Sequence, residues 1–251
     1  MSIPIALQLY SVRADAAADL MGVLDRVAAM GYDGVEFAGY YGHSPEAIRA
    51  KLDAVGLRAE GTHTPLDALG PGRFDETVAL HKTLGCEVVI VPWIPKAKRD
   101  SAASCDATAG EFSEWTAKLA DVGLRFGFHA HAEDMEPLEG GESAYYRLAK
   151  GTPDAFIMQY DTANGMSGGA DPVKPILDFP GRNASLHLKG YSKTTGHGAI
   201  IGEDDIPWAE VFEAAENGGG VVWYVVEYEE ETNPMAAVET CLQNVRRMRP
   251  A

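Results

Sequence analysis

The sequence contains few cysteines and few basic residues, and both shortages argue against particular classes of function. Its 251 residues include three cysteines, Cys86, Cys105 and Cys241, which are widely spaced and form no Cys-x-x-Cys pair. This spacing offers no structural zinc site and is typical of a reducing compartment. Lys and Arg total 21 against 37 Asp and Glu, a formal net charge of −16. This charge argues against binding nucleic acid through a general basic surface.

Long apolar segments and a secretion signal are also missing from the sequence. No uninterrupted apolar run approaches the roughly 18 residues that indicate a membrane span. The first residues, Met1-Ser2-Ile3-Pro4-Ile5, lack the basic start and the apolar stretch of a signal peptide. We therefore expect a cytoplasmic protein that does not interact with a membrane.

Two familiar nucleotide-binding motifs are absent. No Gly-x-Gly-x-x-Gly follows the first strand-like segment, and no Gly-x-x-x-x-Gly-Lys-[Ser/Thr] occurs. These absences argue against a phosphate-binding loop in a doubly wound sheet. No Ser-His-Asp arrangement of a serine hydrolase can be argued from the sequence.

Strand-like and helix-like segments alternate along the whole chain. The strand-like segments are residues 5–10, 34–37, 57–63, 87–91, 125–131, 156–161, 184–189 and 221–228. The helical patterns cover residues 16–30, 44–55, 74–84, 111–122, 142–150, 172–178, 208–217 and 234–247. The alternation predicts a parallel sheet, and eight units in about 250 residues match one (β/α)8 TIM barrel over residues 1–251. A doubly wound open sheet is the alternative.

Ionisable residues stand at the ends of these strand-like segments. Six segments end in this way: Val35-Glu36-Phe37, Gly61-Thr62-His63, His129-Ala130-His131, Tyr160-Asp161, His187-Leu188-Lys189 and Glu227-Tyr228-Glu229. A buried charge is costly, so its repetition at six strand ends indicates a role. In a parallel barrel these ends converge, and His, Asp and Glu together there predict a divalent-metal site with proton transfer.

Three of these strand ends carry ionisable residues two positions apart, which places both side chains on one strand face. The pairs are His129 and His131, His187 and Lys189, and Glu227 and Glu229. Two neighbouring carboxylates repel each other unless a cation lies near them, which favours a metal. For Asp161 the alternative is a helix cap, although the Thr162-Ala163-Asn164-Gly165 segment after it is typical of a loop.

The remaining histidines and Glu36 have no second ionisable residue two positions away, so the sequence indicates a role for them less clearly. Glu36 and His63 are candidates for substrate contacts, whereas His43, His81 and His197 are expected to be surface or loop residues. Mixed carboxylate and imidazole ligands suit Mn²⁺, Zn²⁺, Co²⁺ or Fe²⁺ better than Ca²⁺.

Several short motifs resemble one known family when taken in order. They are Leu9-Tyr10-Ser11-Val12-Arg13, Gly31-Tyr32-Asp33-Gly34-Val35-Glu36, Phe128-His129-Ala130-His131, Asp161-Thr162, His187-Leu188-Lys189 and Val226-Glu227-Tyr228-Glu229. Together they resemble the strand signatures of the sugar phosphate isomerase/epimerase family, which has the xylose isomerase-like TIM barrel. The resemblance covers nearly the whole chain.

The resemblance implies one divalent metal ion, for which Mn, Zn, Co, Fe and Mg are candidates. In the family the ion is held by a Glu of strand five, an Asp of strand six, a His of strand seven and a Glu of strand eight. Asp161, His187 and Glu227 match three of these positions. His129 replaces the strand-five Glu, so we expect His129 or His131 to complete the site. The replacement disfavours a two-glutamate epimerase mechanism and predicts proton transfer by one base.

The resemblance therefore predicts a metal-dependent isomerase or epimerase that acts on a sugar, sugar phosphate, keto-sugar or cyclitol through an ene-diolate. Glu227 or Glu229 is the expected base, and Lys189 is expected to stabilise oxyanion charge. Trp93 is expected to stack on the sugar, and Tyr10 to contact it.

Other functions remain open at this point. A lyase or dehydratase would use the same enolate, and a non-catalytic sugar-binding barrel would retain only the pocket. A DNA-cleaving phosphodiesterase shares the fold but is disfavoured by the acidic charge. We expect a small carbohydrate partner, no nucleic acid and no membrane, with a homo-oligomer as one open outcome.

Overall fold

The computed structural model describes residues 2–249, and within them eight parallel strands form a nearly closed barrel. The strands are β1 (Ile5–Gln8), β2 (Gly34–Phe37), β3 (Arg58–His63), β4 (Val88–Val91), β5 (Arg125–His129), β6 (Ile157–Gln159), β7 (Ser185–Lys189) and β8 (Trp223–Glu227). Neighbouring strands pair in the order β6-β5-β4-β3-β2-β1-β8-β7. A parallel bridge between Asp161 and His187 joins β6 to β7. The predicted (β/α)8 barrel is confirmed.

Helices connect the strands and surround the barrel. They are α1 (Arg13–Met30), α2 (Pro45–Val55), α3 (Phe74–Leu84), α4 (Ala102–Asp121), α5 (Ala132–Met135), α6 (Ala144–Gly151), α7 (Thr162–Ser167), α8 (Lys174–Asp178), α9 (Trp208–Ala214) and α10 (Pro234–Met248). Short 3-10 segments lie at Leu9–Val12, Leu66–Leu69 and Lys96–Lys98, and a π segment lies at Ala215–Gly219. No helix within residues 2–249 is long and apolar enough to span a membrane.

Alternation along each strand separates an outer apolar core from the barrel interior. On β5, Phe126 and Phe128 point outward and pack against Phe112 of α4, with ring centroids 5.6 and 5.8 Å apart. Gly127 and His129, on the opposite face, point into the barrel. The outward residues of the other strands join the same large apolar core beneath the helices.

The barrel interior is apolar at its base and polar above it. Val88, Ile90, Ile157 and Ala184 form a small apolar cluster that is separate from the outer core. Above this cluster lie buried polar side chains, namely Gln8, Glu36, His129, Gln159, Ser185, His187 and Lys189. Buried polar groups of this kind must be hydrogen-bonded to one another, so the interior places a polar network at the carboxyl ends of the strands.

One buried carboxyl group lies deeper in the barrel, where β3 has an extra residue. Val35 of β2 pairs with Ala59, but Glu36 pairs with Gly61, so Glu60 is the extra residue of a β-bulge. Glu60 is 3% exposed. Burial, reinforced by the negative charge of Glu36, raises the pKa of Glu60 to about 8 from an ordinary value of 4.5.

We expect Glu60→Gln to stabilise the protein at alkaline pH and to have less effect at acidic pH. Between the two pKa values the unfolded chain has lost the Glu60 proton while the folded chain keeps it, so folding becomes less favourable as pH rises. The free energy of unfolding, measured with urea, should favour the variant by on the order of 2 kcal/mol more at about pH 8 than at about pH 5.

The control for this prediction is Glu87→Gln, which changes an exposed glutamate at the same end of the barrel. The stability difference between this variant and the wild type should not change with pH. A Glu60→Gln profile parallel to the wild-type profile would show that Glu60 is ionised in the folded protein.

Candidate metal centre

His187 lies at the centre of the site, between two buried carboxylates. Its Nδ1 is 2.8 Å from Glu227 Oε2, and its Nε2 is 2.7 Å from Glu36 Oε2. The imidazole has no exposed surface. Burial alone would lower the pKa of His187, but Glu36 and Glu227 raise it to about 10. In the protein without bound metal, therefore, both ring nitrogens carry protons at neutral pH.

Four side chains from the ends of β5 to β8 bring together the atoms of a metal-binding set. His129, Asp161, His187 and Glu227 each offer one nitrogen or oxygen, and these atoms all lie within 4.8 Å of one another. All four residues are buried. The set combines two imidazoles with two carboxylates, which suits a divalent transition metal.

Asp161 has one oxygen engaged by the protein and one directed into the set. Its Oδ1 accepts a hydrogen bond from the backbone N–H of Asn164 at 2.7 Å and so caps α7. Its Oδ2 is buried, is 3.8 Å from His187 Nδ1 and has no hydrogen-bond partner within residues 2–249. An orphaned buried carboxylate oxygen is costly, and a cation bound beside it would remove that cost. The set therefore fits a metal ion.

The segment after Asp161 corrects a sequence prediction. Residues 162–165 were expected to form a loop, but they lie in α7. The cap and the helix place Asp161 rigidly. Burial raises the pKa of Asp161 to about 6, although the nearby Lys189 ammonium opposes the rise.

Gln159 determines which nitrogen of His129 faces the metal-binding set. Its Nε2 donates to Glu36 Oε1 at 2.7 Å and to Ser185 Oγ at 2.8 Å, so its Oε1 must be the acceptor on the other side. His129 Nδ1 lies 3.0 Å from this oxygen and donates to it. Nε2 of His129 is then the unprotonated ring nitrogen, as a metal ligand requires, and its one hydrogen-bonding contact within residues 2–249 is with Asn164 Nδ2 at 3.4 Å.

His129 is uncharged in this setting. Burial lowers its pKa well below the ordinary value, and the positive charge of His187 lowers it further. Gln159 was not predicted as a site residue, because an uncharged residue inside a strand belongs to no recognisable motif. Its position two residues before Asp161, on the same strand face, was the signal that could have identified it.

His63, His129 and His187 form a second candidate group, in which one nitrogen of each ring lies within 4.8 Å of the others. His63 Nε2, however, is 3.0 Å from Gln159 Oε1 and 3.3 Å from Glu36 Oε2. Since that nitrogen is already engaged and no carboxylate belongs to the group, the set with Asp161 and Glu227 is the better metal site.

Lys189 is buried against the two glutamates of β8 and the residues after it. Its ammonium is 2.6 Å from Glu229 Oε1, 3.3 Å from Glu227 Oε1 and 3.2 Å from Asn164 Oδ1. Burial alone would lower its pKa, but Glu227, Asp161 and Glu229 raise it above the ordinary value. Lys189 thus orients and neutralises the two glutamates, and its role at a substrate oxyanion stays a prediction.

Glu36 differs from its expected role. It was a candidate for substrate contact, but it has no exposed surface and lies beneath His187. Its Oε2 accepts hydrogen bonds from Gln8 at 2.6 Å and from His187 at 2.7 Å. Burial would raise its pKa, but His63 and His187 hold it well below the ordinary value. Glu36 therefore positions His187 by accepting a hydrogen bond from its Nε2–H group.

A cavity of about 300 Å³ opens above the metal-binding set, and we call it the active cavity. Its lining residues are Tyr10, His63, Pro92, Trp93, His129, His131, Glu227 and Glu229. Tyr10 and Trp93 stand at the mouth, 44% and 53% exposed. Most of the residues predicted to contact metal or substrate therefore surround one space.

The positions of two histidines could not be predicted fully from the sequence. His131 lines the active cavity but lies outside the four-residue set, and its buried Nδ1 has no partner within residues 2–249. His81 was expected at the surface, but it is fully buried, with Nε2 2.6 Å from Thr62 Oγ1 and Nδ1 2.8 Å from the Thr77 carbonyl oxygen.

Comparison with known proteins identifies the family. Residues 24–248 match the model of the xylose isomerase-like TIM barrel. The chain belongs to this family. The resemblance found in the strand-end motifs is therefore confirmed over most of the chain.

Individual relatives of this xylose isomerase-like barrel are distant. An inosose dehydratase from Geobacillus kaustophilus is 22% identical in an alignment of 188 residues that covers 66% of this chain and 60% of that protein. The chain thus spans about 60% of the length of that curated relative. A sugar phosphate isomerase/epimerase structure from Parabacteroides distasonis is 21% identical, with a TM-score of 0.83 over 99% of this chain and 96% of that one.

A third relative contains a metal. The structure of the IOLI protein has a bound zinc atom, is 12% identical and has a TM-score of 0.72 over 98% of this chain and 97% of that one. At such identities these structures show that the fold is shared. The family and its neighbours are enzymes, named as isomerases, epimerases and a dehydratase.

We expect His129→Ala to weaken Mn²⁺ binding by at least about tenfold, because the variant lacks one of the four ligands. Asp161→Asn should do the same, since it keeps the α7 cap but lacks the charge. The measurement is titration calorimetry on protein first stripped of metal. The matched control is His131→Ala, at the same strand end but outside the set. If His131→Ala binds Mn²⁺ more weakly than His129→Ala does, the metal ligand is His131 and not His129.

Metal binding should also release about one proton near neutral pH, because the ion must displace the Nδ1 proton of His187. Calorimetry in two buffers with different ionisation enthalpies measures the number of protons released. No proton release would mean that His187 is already neutral, or that it binds no metal.

Proposed function

We propose that the protein is a divalent-metal-dependent isomerase or epimerase that moves a proton beside the carbonyl group of a sugar, sugar phosphate, keto-sugar or cyclitol. The orphaned Oδ2 of Asp161, within the set of His129, Asp161, His187 and Glu227, is the observation that carries the proposal. This set lies at the carboxyl end of the barrel, where TIM-barrel enzymes have their active sites.

The four residues would hold one ion, with Mn, Zn, Co, Fe and Mg as candidates. Bound there, the ion would supply Lewis-acid polarisation of a substrate carbonyl. Glu36 and Gln159 hold the two imidazoles in the orientation and tautomer that binding needs.

Glu229 is the proposed base. Glu227 belongs to the metal-binding set and accepts hydrogen bonds from His187 and Lys189, so its oxygens are engaged. Glu229 lines the active cavity, its side chain is 35% exposed, and Lys189 holds it at 2.6 Å. It can therefore remove a proton from a carbon next to the carbonyl, and a positioned base of this kind contributes about 10²–10⁴-fold to the rate.

Tyr10 and Trp93 would bind the apolar face of the sugar ring at the cavity mouth. Both rings are partly exposed and border the same cavity as Glu229. Such contacts orient the C–H bond towards the base and reduce the access of water.

A lyase is the second candidate, and His131 is the observation that favours it. Burial lowers the pKa of His131, which leaves a neutral imidazole on the wall of the active cavity with an unpartnered nitrogen. After Glu229 removes a proton from carbon, it would return that proton to the departing hydroxyl group, which leaves as water, while His131 would position that hydroxyl group by a hydrogen bond. The similarity to the inosose dehydratase supports the same reaction class.

The test is hydrogen exchange in D₂O, followed by NMR with Mn²⁺-loaded protein and a panel of keto-sugars and inosose. We expect deuterium incorporation next to the carbonyl, and Glu229→Gln should slow it by at least about 10²-fold without loss of bound metal. Glu231→Gln, a change at an exposed residue paired with Arg13, is the control and should not slow it.

The products distinguish the candidates. Deuterium retained on one face with a shifted carbonyl indicates one-base isomerisation, whereas loss of water indicates a lyase. Inversion at one carbon, with deuterium delivered to the opposite face, would refute the one-base mechanism and identify an epimerase with a second acid. No exchange by metal-loaded protein with any substrate would favour a non-catalytic sugar-binding barrel.

A further inference from the structure

A second and larger cavity adjoins the active cavity. It has a volume of about 540 Å³, and we call it the side cavity; its apolar wall includes Ala38, Tyr40, Pro65, Ala68, Leu80 and Pro92. Tyr10, His63 and Pro92 line both cavities. A molecule whose reacting carbon lies near Glu229 could therefore extend past His63 into the side cavity.

Three polar side chains of the side-cavity wall, His81, Thr77 and Arg73, are already engaged. His81 contacts Thr62 Oγ1 and the Thr77 carbonyl oxygen, at 2.6 and 2.8 Å, and Thr77 Oγ1 donates to the Ala68 carbonyl oxygen at 2.8 Å. At the edge, Arg73 pairs with Asp67 at 2.6 Å. Burial lowers the pKa of His81, so that ring adds no charge. The wall thus offers a ligand mainly apolar contacts.

The size and polarity of this wall do not match a second sugar ring. A sugar carries hydroxyl groups around its ring, and their burial without hydrogen-bond partners is unfavourable. An apolar group gains free energy from the same surroundings, in proportion to the area that it buries. The active cavity, at about 300 Å³, already has room for one sugar ring.

Aromatic side chains continue the apolar surface to the mouth of both cavities. Tyr10, Tyr41 and Trp93 are three of the five large hydrophobic side chains that are exposed within residues 2–249. Tyr10 borders both cavities, Trp93 borders the active cavity, and Tyr41 follows Tyr40 of the side cavity in the chain. Exposed aromatics beside a concave apolar surface are typical of a binding site for a small molecule.

We propose that the side cavity binds an aromatic or other apolar group linked to the sugar, so that the substrates are glycosides whose sugar ring carries a ketone, or similar keto-sugar conjugates, instead of free sugars. The identity of the sugar part rests on the proposed function. The sugar ring lies in the active cavity, and its linked apolar group packs between Tyr40, Pro65 and Leu80.

Binding of glycoside pairs, which needs no turnover, tests this proposal. The probes are the 4-nitrophenyl and methyl glycosides of glucose, galactose and xylose, measured by titration calorimetry. For at least one sugar we expect the nitrophenyl glycoside to bind at least about tenfold more tightly than the methyl glycoside, since only the former buries an aromatic ring.

Ala38→Leu should remove that preference, because the half-buried Ala38 lines the side cavity and a larger side chain would occupy it. The matched control is Ala170→Leu, which places the same side chain at a half-buried alanine in a different cavity, beside Met135 and Pro137. Thermal unfolding of both variants shows whether they remain folded. Should Ala38→Leu fail to fold, Ala68→Leu fills the same cavity from the Leu66–Leu69 segment.

Three results would overturn the proposal: equal affinity for the members of every pair, a preference that persists in a folded cavity-filling variant, or no binding of any nitrophenyl glycoside up to about 10 mM. Failure of the side-cavity proposal can be distinguished from failure of the proposed function. Exchange with free sugars but no nitrophenyl preference would refute only the side-cavity proposal. A nitrophenyl preference without exchange on any substrate would refute only the enzymatic function.

Discussion

The organisation of the barrel interior depends on one buried carboxylate, Glu36. A carboxylate without exposed surface is stable only when several donors surround it, and Glu36 receives hydrogen bonds from Gln8, Gln159 and His187. These donors come from β1, β6 and β7, while Glu36 belongs to β2. One ionised group thus connects four strands at the same height. Three candidate metal ligands depend on it: His187 contacts Glu36 directly, Glu227 is held through His187, and His129 through Gln159.

His129 stands where the family resemblance implies a strand-five carboxylate. A set of two imidazoles and two carboxylates carries less negative charge than one with three carboxylates, so it would attract a divalent ion less strongly and leave more positive charge on it. Gln159 fixes both His129 and His63 through one oxygen. Lys189 lies on the other side, against Glu227 and Glu229, and limits the repulsion between them. Neighbouring side chains therefore balance the charges of the site, and a bound metal would add to that balance.

Much of this arrangement could be predicted from the sequence, because parallel strands are continuous apolar runs and their polar ends stand out. All eight strands lie within the predicted segments, with ends that differ by at most two residues. The strand-end pattern singled out Asp161, His187 and Glu227, and the family resemblance grouped them as metal ligands. For Gln159 the sequence offered only its spacing from Asp161, because its partners Glu36 and Ser185 are distant in the chain. Helix α7 was missed because Asn164 and Gly165 are poor helix formers, and only the Asp161 cap and burial make them helical. The side cavity depends on how α3 packs beside β2 and β3, which no local pattern reports.

The two oxygens of Asp161 face in different directions, and this restricts which residues evolution can place at the end of β6. Serine or asparagine would keep the hydrogen bond to the Asn164 amide but would remove the charge from the metal-binding set. Glutamate would keep the charge but would carry it one methylene farther from its own backbone, where the cap geometry is lost. Neither change can be corrected by a neighbouring substitution, since the helix start and the ligand atom belong to one side chain. If the site holds the proposed metal, the start of α7 and the ligand atom both depend on this one residue, and aspartate satisfies both requirements.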